Sequence, residues 1–329
     1  MAIAAASIGP KPADRLRSLP KRGPAAHAIV RVRRCGAGML LVAAASAGAQ
    51  EMEPRAYSAV PIGTNFIVAG YARSSGQVLL DPSLPITDLE AKINVYSLGY
   101  SHSFGIAGHT ASLAMLAPFA EANLTGNVEG TPGSAHRAGL GDLRFRFAVM
   151  LLGGPALTPD QFSRYDQGTT LGASLSVVAP TGQYVPTRLI NVGANRWSFK
   201  PEIGLSQPLG NWFFEGAAGV WFFTDNDNFF GGRQRSQSPL PVLQGHAGYS
   251  WKPGLWLAGD VTYYTGGRTS VNGVEGQDLQ RTVRYGVTLS VPLATQWSAK
   301  FAWSTGLTTR VGGNFQTFSV ALQYRWFNH

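Results

Sequence analysis

Between Arg281 and Val291 the chain reads Arg-Thr-Val-Arg-Tyr-Gly-Val-Thr-Leu-Ser-Val. Val283, Tyr285, Val287, Leu289 and Val291 are apolar, and Thr282, Arg284, Gly286, Thr288 and Ser290 are polar or tiny. Successive side chains of an extended strand point to opposite faces, so strict period-two alternation predicts a strand with one greasy and one wet face. The pattern recurs about ten times, few stretches show a 3.6-residue period, and turn residues punctuate the chain. This chain can hardly be anything but all-β.

The spacing predicts twelve strands, near 64–74, 90–104, 109–122, 140–152, 169–181, 193–207, 211–224, 238–251, 255–266, 280–292, 295–306 and 314–327. Each holds about ten residues or more, enough to cross a bilayer when tilted, whereas soluble sandwich strands average 5–6. The joins alternate in length. Ser75–Leu89, Asn123–Gly139, Gly182–Val192, Asp225–Gln237 and Gly267–Leu279 are long. Gly105–Gly108, Pro208–Gly210, Lys252–Gly254 and Leu293–Ala294 are tight. Long outer loops and short periplasmic turns are the rhythm of an antiparallel up-and-down transmembrane β-barrel. Gly153–Gly168 breaks it as a long join on the periplasmic side, and Leu307–Gly313 is shorter than its outer neighbours.

A charge facing lipid at the bilayer midplane costs ~2–4 kcal/mol, so the apolar face of each strand is outward. By phase, Val283, Tyr285, Val287, Leu289, Phe318, Val320 and Leu322 meet lipid. Trp212, Trp251, Trp297 and Trp326 fall near strand ends, where interfacial aromatic girdles form. The first two strands alternate poorly and their faces stay unassigned.

The formal charge of +9 looks like a nucleic-acid binder until it is divided. Residues 1–49 carry eight Lys/Arg and one Asp, and the rest carry nineteen Lys/Arg and seventeen Asp/Glu. The body is close to neutral, and no phosphate-binding surface is implied. Arg31, Arg33 and Arg34 precede a short apolar run, Gly36 to Ala45, with Ala47-Gly48-Ala49 before Gln50. A basic region, an apolar core too short to span and an A-x-A site mark a signal peptide, here with an over-long N-terminal extension. The expected organisation is a leader at 1–49, a short periplasmic segment at 50–62 and the barrel at 63–329. The single cysteine, Cys35, lies in the leader, so disulfides and thiolate chemistry are not expected in the body.

The same phase points Asp142, Arg144, Arg146, Lys200, Glu202, Glu215, Asp260, Arg284, Lys300 and Arg325 into the lumen. They form either a charged constriction that selects solutes or a self-neutralising set of ion pairs filling a narrow barrel, and the two are compatible. Phe213, Trp221, Phe223, Trp256 and Tyr264 also fall inward, as a ladder for apolar solutes or as filler. Asn195 and Arg196 fall at the outer rim, meeting an entering solute or ordering the fifth loop. Barrel hydrolases place histidine at the outer rim. His102, His109 and His136 are candidates, and His246 points inward, but no motif fixes a nucleophile beside any of them. No catalytic residue, metal ligand or cofactor is expected.

Several segments together carry a family resemblance: Asn65-Phe-Ile-Val-Ala-Gly-Tyr71, Asp81-Pro-Ser-Leu-Pro-Ile86, Arg137-Ala-Gly-Leu-Gly-Asp-Leu143, Ala179-Pro-Thr-Gly-Gln-Tyr184, Ile190-Asn-Val-Gly-Ala-Asn-Arg-Trp-Ser-Phe-Lys-Pro-Glu202 and Tyr263-Tyr-Thr-Gly-Gly-Arg268. From about Pro61 onward the chain resembles the MetA-pathway of phenol degradation family. The resemblance implies a bacterial outer-membrane barrel linked to uptake of aromatic compounds. The expected function is passive or facilitated diffusion of small solutes, aromatic ones included. An outer-membrane hydrolase and a plugged structural barrel are the alternatives. Expected partners are outer-membrane lipid, a small-molecule solute and, through the C-terminal strand ending at Trp326-Phe327, the barrel-assembly machinery; nucleic acid is not among them.

Overall fold

The computed structural model describes residues 53–79 and 86–328. The leader, Cys35, the first three residues of the 50–62 segment, the Asp81–Pro85 stretch and His329 lie outside the described residues.

Among the described residues seventeen strands follow one another: β1 (Thr64–Leu79), β2 (Ile86–Ile106), β3 (His109–Val128), β4 (Thr131–Leu140), β5 (Leu143–Leu152), β6 (Thr170–Ala179), β7 (Ser198–Leu209), β8 (Trp212–Phe223), β9 (Asn226–Phe229), β10 (Arg233–Gln237), β11 (Leu240–Lys252), β12 (Leu255–Gly266), β13 (Thr269–Val271), β14 (Val274–Glu275), β15 (Gln280–Pro292), β16 (Trp297–Thr309) and β17 (Gly312–Phe327). Every pairing is antiparallel. Pairing of β1 with β17, together with β2 with β3, closes the sheet into a ring. Twelve wall positions result, because β4 and β5 pair with the outer and inner halves of β3 and together make one interrupted strand. Strands β9, β10, β13 and β14 form a separate small sheet in the long loops.

The fold class is the expected one, with local differences in the joins. The Ser75–Leu89 join is shorter than expected, because β1 runs to Leu79 and β2 begins at Ile86, and the joins at 225–237 and 267–279 carry the short strands β9, β10, β13 and β14. The stretch around 123–139 is not a loop. β3 runs on to Val128 and returns as β4 through Glu129-Gly130, both at positive φ (51° and 76°), as a two-residue hairpin turn requires. The join near 307–313 is likewise mostly strand. At the start of β7 the chain stays irregular through Trp197, since residues 193–197 serve loop contacts rather than the ladder. The exceptional join after β5 is real and carries one helical turn, α1 (Pro159–Phe162), capped by Thr158.

The hydrophobic pattern is inverted relative to a soluble protein. Leu98, Phe318, Val320, Leu322, Tyr285, Val287 and Phe301 are exposed, while their strand neighbours Thr282, Thr288, Ser290, Ser304 and Thr317 are buried. In lipid this arrangement leaves no backbone edge unpaired and presents an apolar band outward. Aromatic pairs gather at the short-turn end: Trp212 with Tyr249, Trp297 with Tyr324, and Trp326 with Tyr100. The first and last wall strands, β1 and β17, begin and end there, where the Asn328 amide donates to the Gly63 carbonyl (2.9 Å).

The two strands that alternate poorly in sequence now have faces. Ile67, Tyr96, Leu98 and Tyr100 are exposed, whereas Gly70, Ser97, Gly99 and Ser101 line the interior. Their inward residues are small rather than charged, so the hydropathy contrast that marks the other strands is weak.

Candidate functional site

The barrel encloses a cavity of about 390 Å³, a size suited to a small molecule. Its walls are unlike. The β1–β2 side is lined with small residues, Gly70, Ser97 and Gly99 among them, and β17 continues it with Ser319 and Ala321. The β5–β8 side carries Arg144, Arg146, Lys200, Glu202 and Glu215, and Lys300 of β16 and His246 of β11 reach the same space.

Register builds a polar row across the charged wall. Glu215 on β8, His246 on β11 and Asp260 on β12 are directly opposed neighbours. His246 Nδ1 lies 2.7 Å from Asp260 Oδ1, and Thr288 Oγ1 donates to Asp260 Oδ2 (2.7 Å). Lys200 and Glu202, two positions apart on β7, form an ion pair of 2.8 Å. Gln244 Nε2 donates to the same carboxylate oxygen, Glu202 Oε2 (3.3 Å).

The basic residues also settle over aromatic rings, Lys200 while it is paired with Glu202. Arg55 lies over Phe213 (4.8 Å), Arg146 over Tyr57 (5.1 Å), Lys200 over Trp221 (5.4 Å), Lys300 over Trp256 (5.8 Å) and Arg196 over Phe223 (4.4 Å). A ring quadrupole holds a cation without cancelling its charge. The inward aromatics Phe213, Trp221, Phe223 and Trp256 therefore act as supports for the charges. Tyr264 instead packs with Leu240 and Val242.

The N-terminal segment enters this space from the short-turn end. The Arg55 amide donates to Glu215 Oε2, and the Ser58 hydroxyl donates to Glu215 Oε1 (3.1 Å), an oxygen that also accepts from Ser206 (2.7 Å). Tyr57 is buried. Its hydroxyl donates to Glu202 Oε1 (2.8 Å) and lies 2.9 Å from Ser174 Oγ, while Thr170 Oγ1 donates to its carbonyl (2.6 Å). Burial, with Glu202 second, pushes the Tyr57 phenol up to about 12.

The outer end is narrowed differently. Asp142, at the break between β4 and β5, accepts from the Gly182 amide with Oδ1 and from the Ala194 amide with Oδ2, both at 2.8 Å. Arg137 Nε donates to the Ile190 carbonyl (2.8 Å). The 180–197 segment is thereby folded inward, and Leu189 and Ile190 pack on an apolar cluster of Val78, Ile93, Leu124 and Phe315.

Of the ten inward charges read from sequence, Arg144, Arg146, Lys200, Glu202, Glu215 and Lys300 share the cavity. Asp260 lies behind His246. Asp142 ties down the outer segment. Arg284 is buried away from the cavity, with Nη2 donating to Ser304 Oγ (3.3 Å) and the Phe315 carbonyl (3.2 Å). Arg325 sits at the short-turn rim, exposed, over Phe327 and near the Thr295 carbonyl (3.4 Å). Asn195 (φ 53°) bonds Asn226, and buried Arg196 bonds Gln237, so both are engaged in loop contacts. Burial, then the nearby Arg235, presses Arg196 below its ordinary range. Sequence reasoning missed Tyr57, Ser174, Gly172 and Gly204. The available signal was glycine inside otherwise regular strands, which marks close backbone approach.

The family model described as the MetA-pathway of phenol degradation matches residues 70–324. No curated protein matches the chain. Among solved structures, the COG4313 outer membrane channel from Pseudomonas putida F1 is similar over 84% of this chain and 100% of that one, with a TM-score of 0.73 and 22% identity. The CymD monoaromatic hydrocarbon channel aligns over 82% of this chain and 90% of that one, with a TM-score of 0.40 and 8% identity.

Proposed function

The chain belongs to the MetA-pathway of phenol degradation family of outer-membrane barrels, and from that premise we propose that it is a channel passing small solutes, aromatic ones included, through a charged lumen. One observation carries this reading: a closed wall with an apolar outer band encloses a cavity lined by Arg144, Arg146, Lys200 and Lys300. No covalent step is needed. Solutes partition by size and by charge at these side chains. Leu189 and Ile190 narrow the outer entrance, and the described part of the 50–62 segment narrows the inner one. The C-terminal strand, with Tyr324, Trp326 and Phe327, is the segment offered to the barrel-assembly machinery.

Planar-bilayer recording tests the proposal. Discrete conductance steps with solute-dependent block support it. A folded barrel with neither conductance nor solute flux supports the plugged structural reading, which the seated N-terminal segment favours.

A hydrolase reading rests on the buried His246–Asp260 pair. Among the described residues no hydroxyl bonds His246, so the arrangement has an orienting carboxylate and a base but no aligned nucleophile. Ester or peptide hydrolysis abolished by His246→Ala would restore it.

A further inference from the structure

Tyr57 is a phenol held in a made-to-measure seat. Two pairs of opposed residues on β6 and β7 form it: Gly172 faces Gly204, and Ser174 faces Glu202. The ring lies on the two glycines. A Cβ at Gly204 would fall 2.1 Å from Cε2, and one at Gly172 would fall 2.7 Å from Cδ1, so any other residue would push the ring out. The Arg146 guanidinium covers the other face (5.1 Å to the ring centroid). The hydroxyl meets the polar pair, donating to Glu202 Oε1 (2.8 Å) beside Ser174 Oγ (2.9 Å). The seat thus has a flat floor, a cationic lid and an acceptor at one end.

These features are supplied by the barrel wall, and only the occupant comes from the N-terminal segment. We infer that the Gly172–Gly204–Ser174–Glu202 patch is a binding site for small neutral phenols, with Tyr57 as its resident competitor. The inference rests on the channel reading for the route by which a phenol arrives, but not for the binding itself. Lys200 and Gln244 both sit on Glu202 Oε2, so Oε1 takes its donor from this seat, and a buried acceptor oxygen left without one is costly. An arene without a hydroxyl lacks that donor, and an aromatic carboxylate would set its charge against Glu202. A bound phenol would displace Tyr57 and loosen the segment that narrows the inner mouth, so solute entry and opening are linked.

The test uses p-cresol, which is the tyrosine side chain itself. In Tyr57→Gly barrel in detergent, calorimetric titration should give saturable p-cresol binding at least tenfold tighter than toluene or benzoate. Gly204→Ala in the same background should abolish it. Toluene equal to p-cresol, or p-cresol binding unaffected by Gly204→Ala, overturns the inference. Should Tyr57→Gly not fold, a Cys35→Ser, Ala56→Cys chain with Tyr57 intact gives the second readout. There p-cresol, but not toluene, should accelerate maleimide labelling at position 56, and equal rates overturn the inference. Binding without conductance would refute the channel and keep the seat. Conductance without binding would do the reverse.

Discussion

Gly204 lies directly beneath the Tyr57 ring, with no room between them for a methyl group. The contact joins the N-terminal segment to the middle of the barrel wall. Gly204→Ala is expected to unseat Tyr57 while leaving the wall closed, because the added methyl points into the lumen and not into the ladder. Trypsin should then cut at Arg55 several times faster than in the parent protein, and mean conductance should rise.

The seat is expected to respond to alkali. The Tyr57 phenol is raised from its ordinary value near 10 to about 12, so the folded state holds the proton more tightly than the free chain does. The stabilising contribution is therefore complete below pH 10 and disappears as pH rises from 10 toward 12. A spin label at Ala56→Cys should gain mobility across that window. Tyr57→Phe should show no such transition, and a transition at the same pH in both chains would refute the assignment.

Charge reversal separates cavity cations from structural ones. Lys300 faces the cavity over Trp256, so Lys300→Glu should shift reversal potentials toward cations without loss of stability. Arg284 is buried against Ser304 and the Phe315 carbonyl. Arg284→Glu would place a carboxylate beside that carbonyl and cost about 3 kcal/mol or more. Denaturant unfolding should register this change, and a stable Arg284→Glu barrel would contradict the placement.

Adjacent residues on β17 test the faces. Val320 is exposed on the outer face, and Ser319 lines the cavity. Val320→Arg near mid-strand should destabilise the barrel in lipid by ~2–4 kcal/mol. Ser319→Arg should leave stability nearly unchanged and reduce single-channel conductance. Equal effects on stability would mean that the faces are wrongly assigned.

Asp142 holds the outer segment through two backbone amides. Asp142→Ala leaves both amides without their acceptor, and faster hydrogen exchange across residues 182–194 is the expected outcome, with the β5 and β6 ladder unchanged.

The wall strands, the faces of those from β5 to β17 and the girdle tryptophans were legible because lipid outside and water inside impose opposite demands on alternate residues, a demand the loop strands β9, β10, β13 and β14 escape. That contrast is local, so Val283 or Phe318 can be assigned from its neighbours alone. It failed at β1 and β2, where Gly70, Ser97 and Gly99 give the inner face no polarity to read. It also failed at 123–139, where a hairpin continues the wall beyond the membrane and its residues answer to no apolar solvent.

The sequence by itself determined an all-β chain, a membrane-facing side and an inner set of charges, since each follows from spacing along one strand. Only the tertiary structure decided what those charges do. Glu215, His246 and Asp260 are neighbours because of the register between β8, β11 and β12, and Arg284 and Lys300 are parted by their height in the lumen. The Tyr57 seat depends on Gly172 meeting Gly204 across a ladder and on a terminal segment turning inward. Both are contacts between residues distant in the chain, and no local pattern encodes them.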